Sequence, residues 1–290
     1  MNNIFAMVTM KSSNLYTDLA IKSFFKFTEI NDSDEFLLID NDGNNFNNLS
    51  TYKKIKIIKN KSPLSFAENV NKVIKISKAN NKNLIFLNND IIFTKGWFDP
   101  LKNNSNCISI PASNQIFQYS SDCKNLILKI TMNLKDFNEN YQLLNEIVEK
   151  HKKKYKPGQK LQTPLMPFFC FKLPKEIINK IGLFDETFGK GGGEDVDYRI
   201  RCAAEGYEVN FLIDSYLLHF HGKSTWDGNE TLHETEKRNK KYTEIFLKKW
   251  GQELTQIFII RKDILEILEK KGITEHFKNG KFGDLIRKIL

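Results

Sequence analysis

The chain has 290 residues, of which 40% are hydrophobic and 27% charged, as is usual for a folded protein with a sizeable core. No stretch approaches the roughly 18 uninterrupted apolar residues of a membrane-spanning helix, and the N-terminus lacks the basic start of a signal peptide. We therefore expect a cytoplasmic protein. The formal net charge of +9 favours an anionic partner such as nucleic acid, a membrane surface or a phosphorylated small molecule.

The cysteines predict no disulfide framework and no zinc site. Cys107, Cys123, Cys170 and Cys202 are scattered, form no CxxC pair and have no histidine nearby at zinc spacing. A reducing compartment also disfavours a structural disulfide. We expect free and mostly buried thiols, since unpaired cysteine is among the most buried residue types.

In the first half of the chain, short apolar runs alternate with segments of helical periodicity. The predicted strands cover 4–10, 34–40, 54–60 and 83–90, and the predicted helices cover 15–27 and 62–79. This alternation predicts an α/β fold with a mostly parallel central sheet flanked by helices. Ligands bind beyond the carboxyl ends of the strands in such sheets, and polar residues stand at two of these ends, 40–42 and 88–90.

The second half is irregular at first and helical at its end. Residues 112–135 show no clear period. Further helices are predicted over 136–154, 174–184 and 196–207, with strands over 166–173 and within 208–222. After Trp226 the composition becomes rich in Lys and Glu, and its patterning predicts a C-terminal helical extension.

Asp90 follows a buried strand, where a carboxylate has no role in the core and is well placed to reach a cation. Mg²⁺ and Mn²⁺ prefer oxygen ligands and often join one or two carboxylates to substrate phosphates. The alternative is an ordinary polar turn at Asn88, Asn89 and Asp90.

His219 and His221 form a second candidate pair. Residues two apart in a strand face the same side, so both imidazoles are expected on one surface. The alternative is an ordinary hydrogen-bonded or exposed pair of histidines. Zinc is disfavoured because no third zinc-type ligand stands nearby in the sequence.

The third candidate is the segment GKGGGEDVDYRIR at 189–201. Glu194, Asp195 and Asp197 suit the first turn of a helix, where the helix dipole favours negative charge. That structural explanation leaves three consecutive glycines unexplained. A glycine loop that presents adjacent carboxylates also suits a general base held against a bound substrate.

Read together, these segments resemble those of the family 2 glycosyltransferases, which have a GT-A fold. LIDND resembles the family's nucleotide-contacting segment, SFAENVN its GFAxxxN segment, and IFLNNDIIFTKGWFDPL its LDxD or LNxD stretch. GLFDETFGKGGGEDVDYRIRCAAEGY is similar to the family's GLFDExF…GGEDVDLxxRxxxxGY block nearly throughout, and LLHFHGKST resembles its final His…ST element. The matches occur in family order over residues 4–225.

The resemblance implies a GT-A catalytic domain over 1–226, with an acceptor-side insert at about 112–165, and a helical extension over 227–290. It implies transfer of a hexosyl or N-acetylhexosaminyl group from a nucleotide-diphosphate sugar, expected to be a UDP-sugar, to an acceptor hydroxyl. The reaction would invert the anomeric centre and use Mn²⁺ or Mg²⁺. A glycan, lipid-linked or protein acceptor in bacterial-type surface glycan synthesis is expected.

The resemblance also implies roles for single residues. Asp90 would hold the metal, with His219 as second ligand or diphosphate contact and His221 as the alternative ligand. Asp195 would be the general base, and Glu194 would orient a sugar. Gly192 and Gly193 would let the loop close over the sugar, whereas Asp185 and Asp197 are expected to be structural. Asp40 would contact the base or ribose, and the other expected donor-binding positions are Thr9, Asn41, Phe66, Asn71, Asn88 and Asn89.

Two other functions remain as alternatives. The first is a nucleotide-sugar-binding protein of the same fold that lacks turnover. It is suggested by Asn88, which stands where the family often has the first aspartate of its metal motif. The charge of +9 suggests nucleic-acid binding, but no recognition motif accompanies it, and we expect no nucleic-acid partner. The basic C-terminal helices either present a solvated face or contact an anionic membrane peripherally, through Lys248, Lys249, Lys270, Lys271 and Lys288.

Overall fold

The computed structural model of the chain describes residues 2–43, 52, 54–102, 104–114, 132–166, 169–223 and 231–290. Its strands are Asn3–Thr9 (β1), Glu35–Asp40 (β2), Ile55–Lys59 (β3), Asn83–Leu87 (β4), Ile91–Phe93 (β5), Cys107–Ser113 (β6), Lys160–Gln162 (β7), Cys170–Leu173 (β8) and Glu208–His219 (β9).

The helices surround this sheet and form the end of the chain. They are Asn14–Phe27 (α1), Phe66–Ala79 (α2), Asp99–Lys102 (α3), Leu134–Phe137 (α4), Tyr141–Lys152 (α5), Lys175–Ile181 (α6), Glu194–Ala204 (α7), Leu232–Thr255 (α8), Ile264–Lys270 (α9), Thr274–Lys278 (α10) and Phe282–Ile289 (α11). Helix α8 is interrupted at Gly251, and a π-helical turn, Gln256–Ile260, follows it. Among the described residues, no helix has both the length and the apolarity to cross a bilayer.

The strands form one mixed sheet in the order β3-β2-β1-β4-β8-β6-β9-β5, with β7 also paired to β9. Its first four strands pair in parallel, as the alternating sequence pattern predicts. Strand β8 then runs antiparallel to both β4 and β6, while β6 and β9 are parallel. The predicted α/β sheet flanked by helices is confirmed, and antiparallel pairing marks its second half.

The central strands are buried on both faces, which explains their continuous apolar sequences. Every residue of β1 is buried, and the same holds for β6 and β8. At the sheet edge, β3 is half-exposed as expected of an edge strand, but its burial does not alternate strictly, since Ile57 is exposed together with its neighbour Lys56. The described cysteines, Cys107, Cys170 and Cys202, are free and buried as expected, whereas Cys123 lies outside the described residues.

The strand register brings several polar residues to one edge of the sheet. Thr9 pairs with Asp40 at the ends of β1 and β2, and Met7 of β1 pairs with Leu87 at the end of β4. The segment from Asn88 to Asp90 therefore follows β4 at the same edge, as parallel topology requires.

Several boundaries differ from the sequence prediction. The predicted helix over 136–154 is divided into α4 and α5, because Asn138 and Glu139 have φ of 37° and 54°, outside the helical region. Helix α7 begins at Glu194, two residues before its predicted start, and β9 is a single strand. Strands β5, β6 and β7 were not predicted. Strands β5 and β7 have three residues each, too few to show a period.

The C-terminal helices share an apolar cluster with α7. Val196 and Ile200 of α7 pack there with Phe246 of α8, Phe258 of the π-helical turn and Leu285 of α11. The helical character predicted after Trp226 is confirmed for residues 232–290. Because α7 contributes to this cluster, the helices from Leu232 onwards are packed onto the α/β part through a shared core.

Lys249 adds an ionic connection to this packing. Its Nζ lies 2.6 Å from Asp185 Oδ2 and 2.7 Å from Asp197 Oδ1. The buried Asp197 also accepts hydrogen bonds from Arg201 Nε and Trp250 Nε1, both at 2.9 Å. Asp197 and Asp185 are therefore structural, as the sequence predicted. Lys249 faces acidic partners, and Lys271 pairs with Glu253 at 2.8 Å, so these two lysines do not simply present a solvated face.

We predict that Lys249→Met destabilises the protein by about 1–3 kcal/mol, because it removes a charged partner from the buried Asp197 carboxylate. Urea unfolding at pH 7 measures this effect. Lys248→Met, a change at the exposed neighbouring position, is the matched control and should be nearly neutral.

The difference in stability between the wild type and Lys249→Met is also expected to depend on pH. Burial alone would raise the pKa of Asp185, but hydrogen bonds from Lys249 and Thr187 lower it to about 2, below the ordinary 3.8. The stabilisation from the Asp185–Lys249 ion pair is therefore present above pH 4 and is lost as the pH falls towards 2. The stability gap between wild type and Lys249→Met should narrow across that range, and a constant gap would contradict the assignment.

Candidate active site

Asp90 and His219 meet at the carboxyl edge of the sheet. Asp90 lies between β4 and β5, and His219 is the last residue of β9. The antiparallel pairing of β5 with β9 sets Ile91 opposite His219. As a result, Asp90 Oδ1 lies 3.2 Å from His219 Nε2.

Neighbouring groups hold both side chains in place. The Lys223 N–H donates to Asp90 Oδ2 at 3.0 Å. The His219 ring stacks on Phe169, with ring centres 5.1 Å apart. The His219 N–H donates to Asn114 Oδ1 at 2.8 Å, and Asn114 Nδ2 donates back to the His219 carbonyl at 3.1 Å. The orientation of the pair is thus set by backbone and stacking contacts.

The facing atoms of the pair retain bonding capacity. Asp90 is fully buried and His219 is 6% exposed. Asp90 Oδ1 and His219 Nε2 are close, but their geometry is not that of a hydrogen bond, and neither makes one within the described part of the chain. Burial raises the pKa of Asp90, but the His219 imidazole and the Lys223 N–H together lower it by more, so that the pKa lies below its ordinary value.

A carboxylate oxygen and an imidazole nitrogen that face each other in this way fit a divalent cation such as Mn²⁺. Within the described residues, no third His, Cys, Asp or Glu completes a three-residue cluster with them. A cation held here would therefore take its other ligands from water and from a bound phosphate-containing ligand, a common arrangement for Mg²⁺.

His221 lies beside this pair but not on the strand. Strand β9 ends at His219, and His221 has a left-handed backbone with φ of 59°. The two-residue strand repeat therefore does not apply to His221, contrary to the sequence expectation. Its exposed ring still lies 5.6 Å from that of His219. Partial burial and the charge of His219 lower the pKa of His221, which favours its neutral form.

Thr9 and Asn89 lie in a buried hydrogen-bond network. Asn89 Nδ2 donates to Ser13 Oγ at 2.7 Å and to Thr17 Oγ1 at 2.8 Å. Thr9 Oγ1 is 2.7 Å from Thr17 Oγ1. These contacts fasten the segment after β4 to the start of α1. Asn88 differs, since it is partly exposed and its N–H donates to the Phe169 carbonyl at 2.8 Å.

Two asparagines that were expected to bind the sugar donor use their side-chain amides for hydrogen bonds within the protein. Asn41 Oδ1 accepts hydrogen bonds from Leu64 N, Asn60 Nδ2 and Asn69 Nδ2 at 2.8–3.1 Å. Asn71 exchanges hydrogen bonds with the backbone of Phe184, which fastens α2 to the segment that precedes the glycine loop. Both asparagines are buried and shape the neighbouring loops.

The remaining expected donor-binding residues flank these amides. Asp40 is fully buried at the end of β2, and its carbonyl accepts from Asn60 N at 2.9 Å. Phe66 begins α2 and packs edge-to-face on Phe86, with ring centres 5.2 Å apart. Phe66 keeps part of its surface exposed, so a ligand can reach it.

Two of the three consecutive glycines, Gly192 and Gly193, are required both by backbone conformation and by packing. Gly192 and Gly193 have φ of 116° and 89°, which L-residues with side chains rarely adopt. A Cβ on Gly192 would lie 2.6 Å from the Tyr242 ring, and one on Gly193 would lie 2.9 Å from the Phe188 ring. The glycine loop therefore lies closely against α8. Their expected role in closing over a sugar stays a prediction.

Glu194 and Asp195 begin α7, directly after this loop. Glu194 is 3% exposed, and its Oε2 accepts from Gly192 N at 2.5 Å. Burial and the charge of Asp195 raise the pKa of Glu194. Asp195 keeps part of its surface exposed, and its Oδ1 accepts from Val196 N at 2.8 Å. Burial of its carboxyl group raises the pKa of Asp195 above the ordinary value.

Residues of the C-terminal extension complete this part of the site. Arg238 Nη1 donates to the Gly191 carbonyl at 3.1 Å, and Tyr242 contacts Gly192. The charge of Arg261 lowers the pKa of Asp195 against the effect of burial. Sequence reasoning missed these three residues, because their helical pattern indicates only an amphipathic surface. Ser224 and Thr225 lie outside the described residues.

Comparison with known proteins identifies the fold. The chain is similar to the solved structure of GalNAc-T7 with UDP, GalNAc and Mn²⁺, with 17% identity and a TM-score of 0.58 over 96% of this chain and 58% of that chain. It is also similar to TarS from S. aureus, with 10% identity and a TM-score of 0.53 over 90% of this chain and 43% of that chain.

A third similar structure is a mannosyltransferase from Pyrobaculum calidifontis in complex with GDP-Man and Mn²⁺. Its identity is 10% and its TM-score 0.50, over 98% of this chain and 73% of that chain. The chain thus has the fold of GT-A-type glycosyltransferases and spans little more than half of GalNAc-T7. No protein-family model matches the sequence, and no curated protein matches it either.

We predict that Gly192→Ala is more destabilising than Gly206→Ala. Both positions have positive φ, but a Cβ on Gly206 has no neighbour within 4 Å, whereas one on Gly192 meets the Tyr242 ring. Gly206→Ala should cost about 1–2 kcal/mol from backbone strain, and Gly192→Ala about 1–3 kcal/mol more from overpacking.

Thermal and urea unfolding of both variants measure this difference. Equal losses of stability would show that the glycine loop does not pack against Tyr242 as described.

Proposed function

We propose that the chain transfers a sugar from a nucleotide-diphosphate donor to an acceptor hydroxyl. The observation that carries this proposal is the buried Asp90–His219 pair at the carboxyl edge of a GT-A-type sheet, whose two facing ligand atoms lie 3.2 Å apart and make no hydrogen bond among the described residues. Ligands bind at this edge in open α/β sheets. Two of the three similar structures contain UDP with Mn²⁺ or GDP-Man with Mn²⁺, which supports the same class of donor and cofactor for this chain.

Asp90 and His219 would hold Mn²⁺ or Mg²⁺, with His221 beside them as an alternative ligand. When bound, the cation would neutralise charge on the departing nucleotide diphosphate. The stacking of Phe169 on His219 and the Lys223 N–H on Asp90 fix the two ligand side chains before the donor arrives. Such preorganisation avoids the free-energy cost of orienting the side chains during the reaction.

The donor nucleotide would lie along the ends of β1, β2 and β4. We assign direct contacts to Asp40, Phe66 and Asn88, which stand at this edge or keep exposed surface near it. Thr9, Asn41, Asn71 and Asn89 would act by shaping the loops, because their side chains bond to the protein. We propose a UDP-sugar with a hexosyl or N-acetylhexosaminyl group, and a panel of nucleotide sugars with Mn²⁺ tests that identity.

Asp195 would accept the proton of the acceptor hydroxyl as that oxygen attacks the anomeric carbon. Asp195 keeps part of its surface exposed, where an acceptor can approach, and its raised pKa makes it a better base than an ordinary aspartate. Glu194, more deeply buried, would orient a sugar through hydrogen bonds. Direct attack with one base leads to inversion at the anomeric carbon.

The acceptor is proposed to be a glycan, a lipid-linked sugar or a protein in bacterial-type surface glycan synthesis, on the cytoplasmic face of the membrane. The basic C-terminal helices would supply the peripheral membrane contact. Lys249 and Lys271 are engaged by acids, so Lys248, Lys270 and Lys288 are the residues left to test for this contact.

The alternative is a nucleotide-sugar-binding protein without turnover. The amide at Asn88, where a carboxylate would strengthen cation binding, favours this alternative. The two functions differ in one measurement, because only a transferase releases nucleotide when donor and acceptor are both present.

We predict that Asp195→Asn lowers kcat by about 10²-fold or more, the usual loss on removing a general base, and leaves the donor Kd nearly unchanged. Nucleotide release and titration calorimetry with the donor measure the two quantities. In the wild type, the raised pKa of Asp195 places the acidic limb of the kcat profile above the range of an ordinary aspartate, with activity rising as pH increases. Transfer by Asp195→Asn at the wild-type rate would remove the base assignment.

We predict that Asp90→Asn abolishes the dependence of donor affinity on Mn²⁺, because an amide is a weaker ligand for the cation than a carboxylate. Calorimetric titration of the nucleotide diphosphate with and without Mn²⁺ measures this dependence. Asp99→Asn, at an exposed position at the start of α3, is the matched control and should keep the metal dependence. An unchanged metal effect in Asp90→Asn would place the cation elsewhere.

A further inference from the structure

We propose that a cleft in the C-terminal helices binds a neutral oligosaccharide, at a site separate from the one where the sugar is transferred. The cleft has a volume of about 830 Å³ and lies between the end of α8, helix α9 and the end of α11. The inference rests on the proposed transferase function, because a glycan acceptor or product is the ligand that such an activity would bring to this chain.

The backbone departs from helical geometry at two places that line the cleft. Helix α8 is interrupted at Gly251, which has φ of 78° and ψ of 177°. A Cβ at Gly251 would have no neighbour within 4 Å, so open space lies beside the interruption. Asp263 precedes α9 with φ of 54°, a left-handed conformation that is costly for a residue with a side chain. Such conformations concentrate at functional sites.

One part of the lining is apolar and aromatic. It consists of Trp250 and Leu254 of α8, Ile267 of α9 and Ile289 of α11. Trp250 is half-buried, and its Nε1 donates to Asp197 at 2.9 Å. Because the indole nitrogen is already bonded, the carbon surface of the ring is what remains for a ligand. A sugar ring has a face of C–H groups, and packing this face on the indole removes apolar surface from water.

The rest of the lining offers hydrogen-bonding groups of both kinds. Asp263, Glu266 and Lys270 are exposed, and they form no ion pair within the described part of the chain. Gln252 and Gln256 add amides, each of which can donate and accept. Two carboxylates stand against one ammonium, so the lining favours a ligand without negative charge that has both donors and acceptors.

The two kinds of lining together match an oligosaccharide. The volume falls within the roughly 300–1,000 Å³ of ligand-binding clefts, which usually combine apolar walls with a few polar groups. A purely apolar ligand would cover Asp263 and Glu266 without giving their carboxylates a hydrogen bond, and an anion would be repelled by them. Sugar hydroxyl groups can donate to the carboxylates and accept from Lys270.

The cleft is fixed to the helix that bears the proposed base. Lys249 and Trp250 line the cleft, and both bond to the buried Asp197 of α7. Asp197 lies two residues after Asp195 in the same helix. A glycan held in the cleft would therefore stay close to the transfer site, which raises the effective concentration of acceptor groups there.

The test uses neutral trisaccharides of glucose, galactose, mannose and N-acetylglucosamine, each titrated into the full chain with saturating UDP and Mn²⁺. We expect at least one of them to shift the assigned NMR signal of the Trp250 indole N–H, because Trp250 lines the cleft. The signal of Trp97, which is fully buried and bonds to Thr28 at 2.8 Å, should not move.

Two variants of α9 assign this binding to the cleft. Glu266→Ala should weaken it about ten-fold, as expected on losing a hydrogen bond to a charged group. Glu269→Ala removes the same charge from an exposed position of α9 outside the cleft and should bind as the wild type does. Glu266 is exposed as well, so thermal unfolding should show both variants to be as stable as the wild type.

An unmoved Trp250 signal with all four trisaccharides would overturn the inference, and so would equal affinity in Glu266→Ala and the wild type. Tighter binding of a glucosamine trimer, which is cationic, than of the N-acetylglucosamine trimer would overturn the assignment to a neutral sugar.

The proposed transferase function fails separately, if no nucleotide sugar is turned over or hydrolysed. A chain that binds a trisaccharide through Glu266 but releases no nucleotide would keep the cleft site and lose the transferase function. A chain that transfers sugar but leaves the Trp250 signal unmoved would lose only the cleft site.

Discussion

The close approach of Asp90 to His219 is the contact around which the proposed site is arranged. It depends on one short antiparallel pairing, in which β5 sets Ile91 opposite His219 and so brings the end of β4 to the end of β9. Burial makes the arrangement costly for charged groups unless a partner compensates them. The two facing ligand atoms, which make no hydrogen bond in the described part of the chain, are where a divalent cation would supply that compensation.

A second constraint connects the proposed base to the C-terminal helices. Asp197, one turn into α7, is buried and bonded to Arg201, Lys249 and Trp250, so the helix that begins with Glu194 and Asp195 is held from both sides. The glycine loop before it has no room for a side chain beside Tyr242. The C-terminal extension therefore helps to position the two acids at the start of α7.

The sequence predicted the fold well where periodicity was strong. The early strands and helices, and the edge position of β3, agree with it, because long apolar or amphipathic segments reveal their burial directly. The candidate site was harder to predict from the sequence. Asn41 and Asn71 matched donor-binding motifs, yet both amides bond to the protein's own loops. A motif records which residue is present and does not record which partner, ligand or backbone, takes its hydrogen bonds.

By itself the sequence determined the α/β alternation, the polar ends of the strands and the acidic start of α7, since these follow from local pattern and chain order. Only the tertiary structure decided that β8 runs antiparallel, that His221 leaves the strand, and that Arg238 and Tyr242 contact the glycine loop. These features join residues far apart in the chain. Their positions are set by packing between elements, which no local periodicity can express.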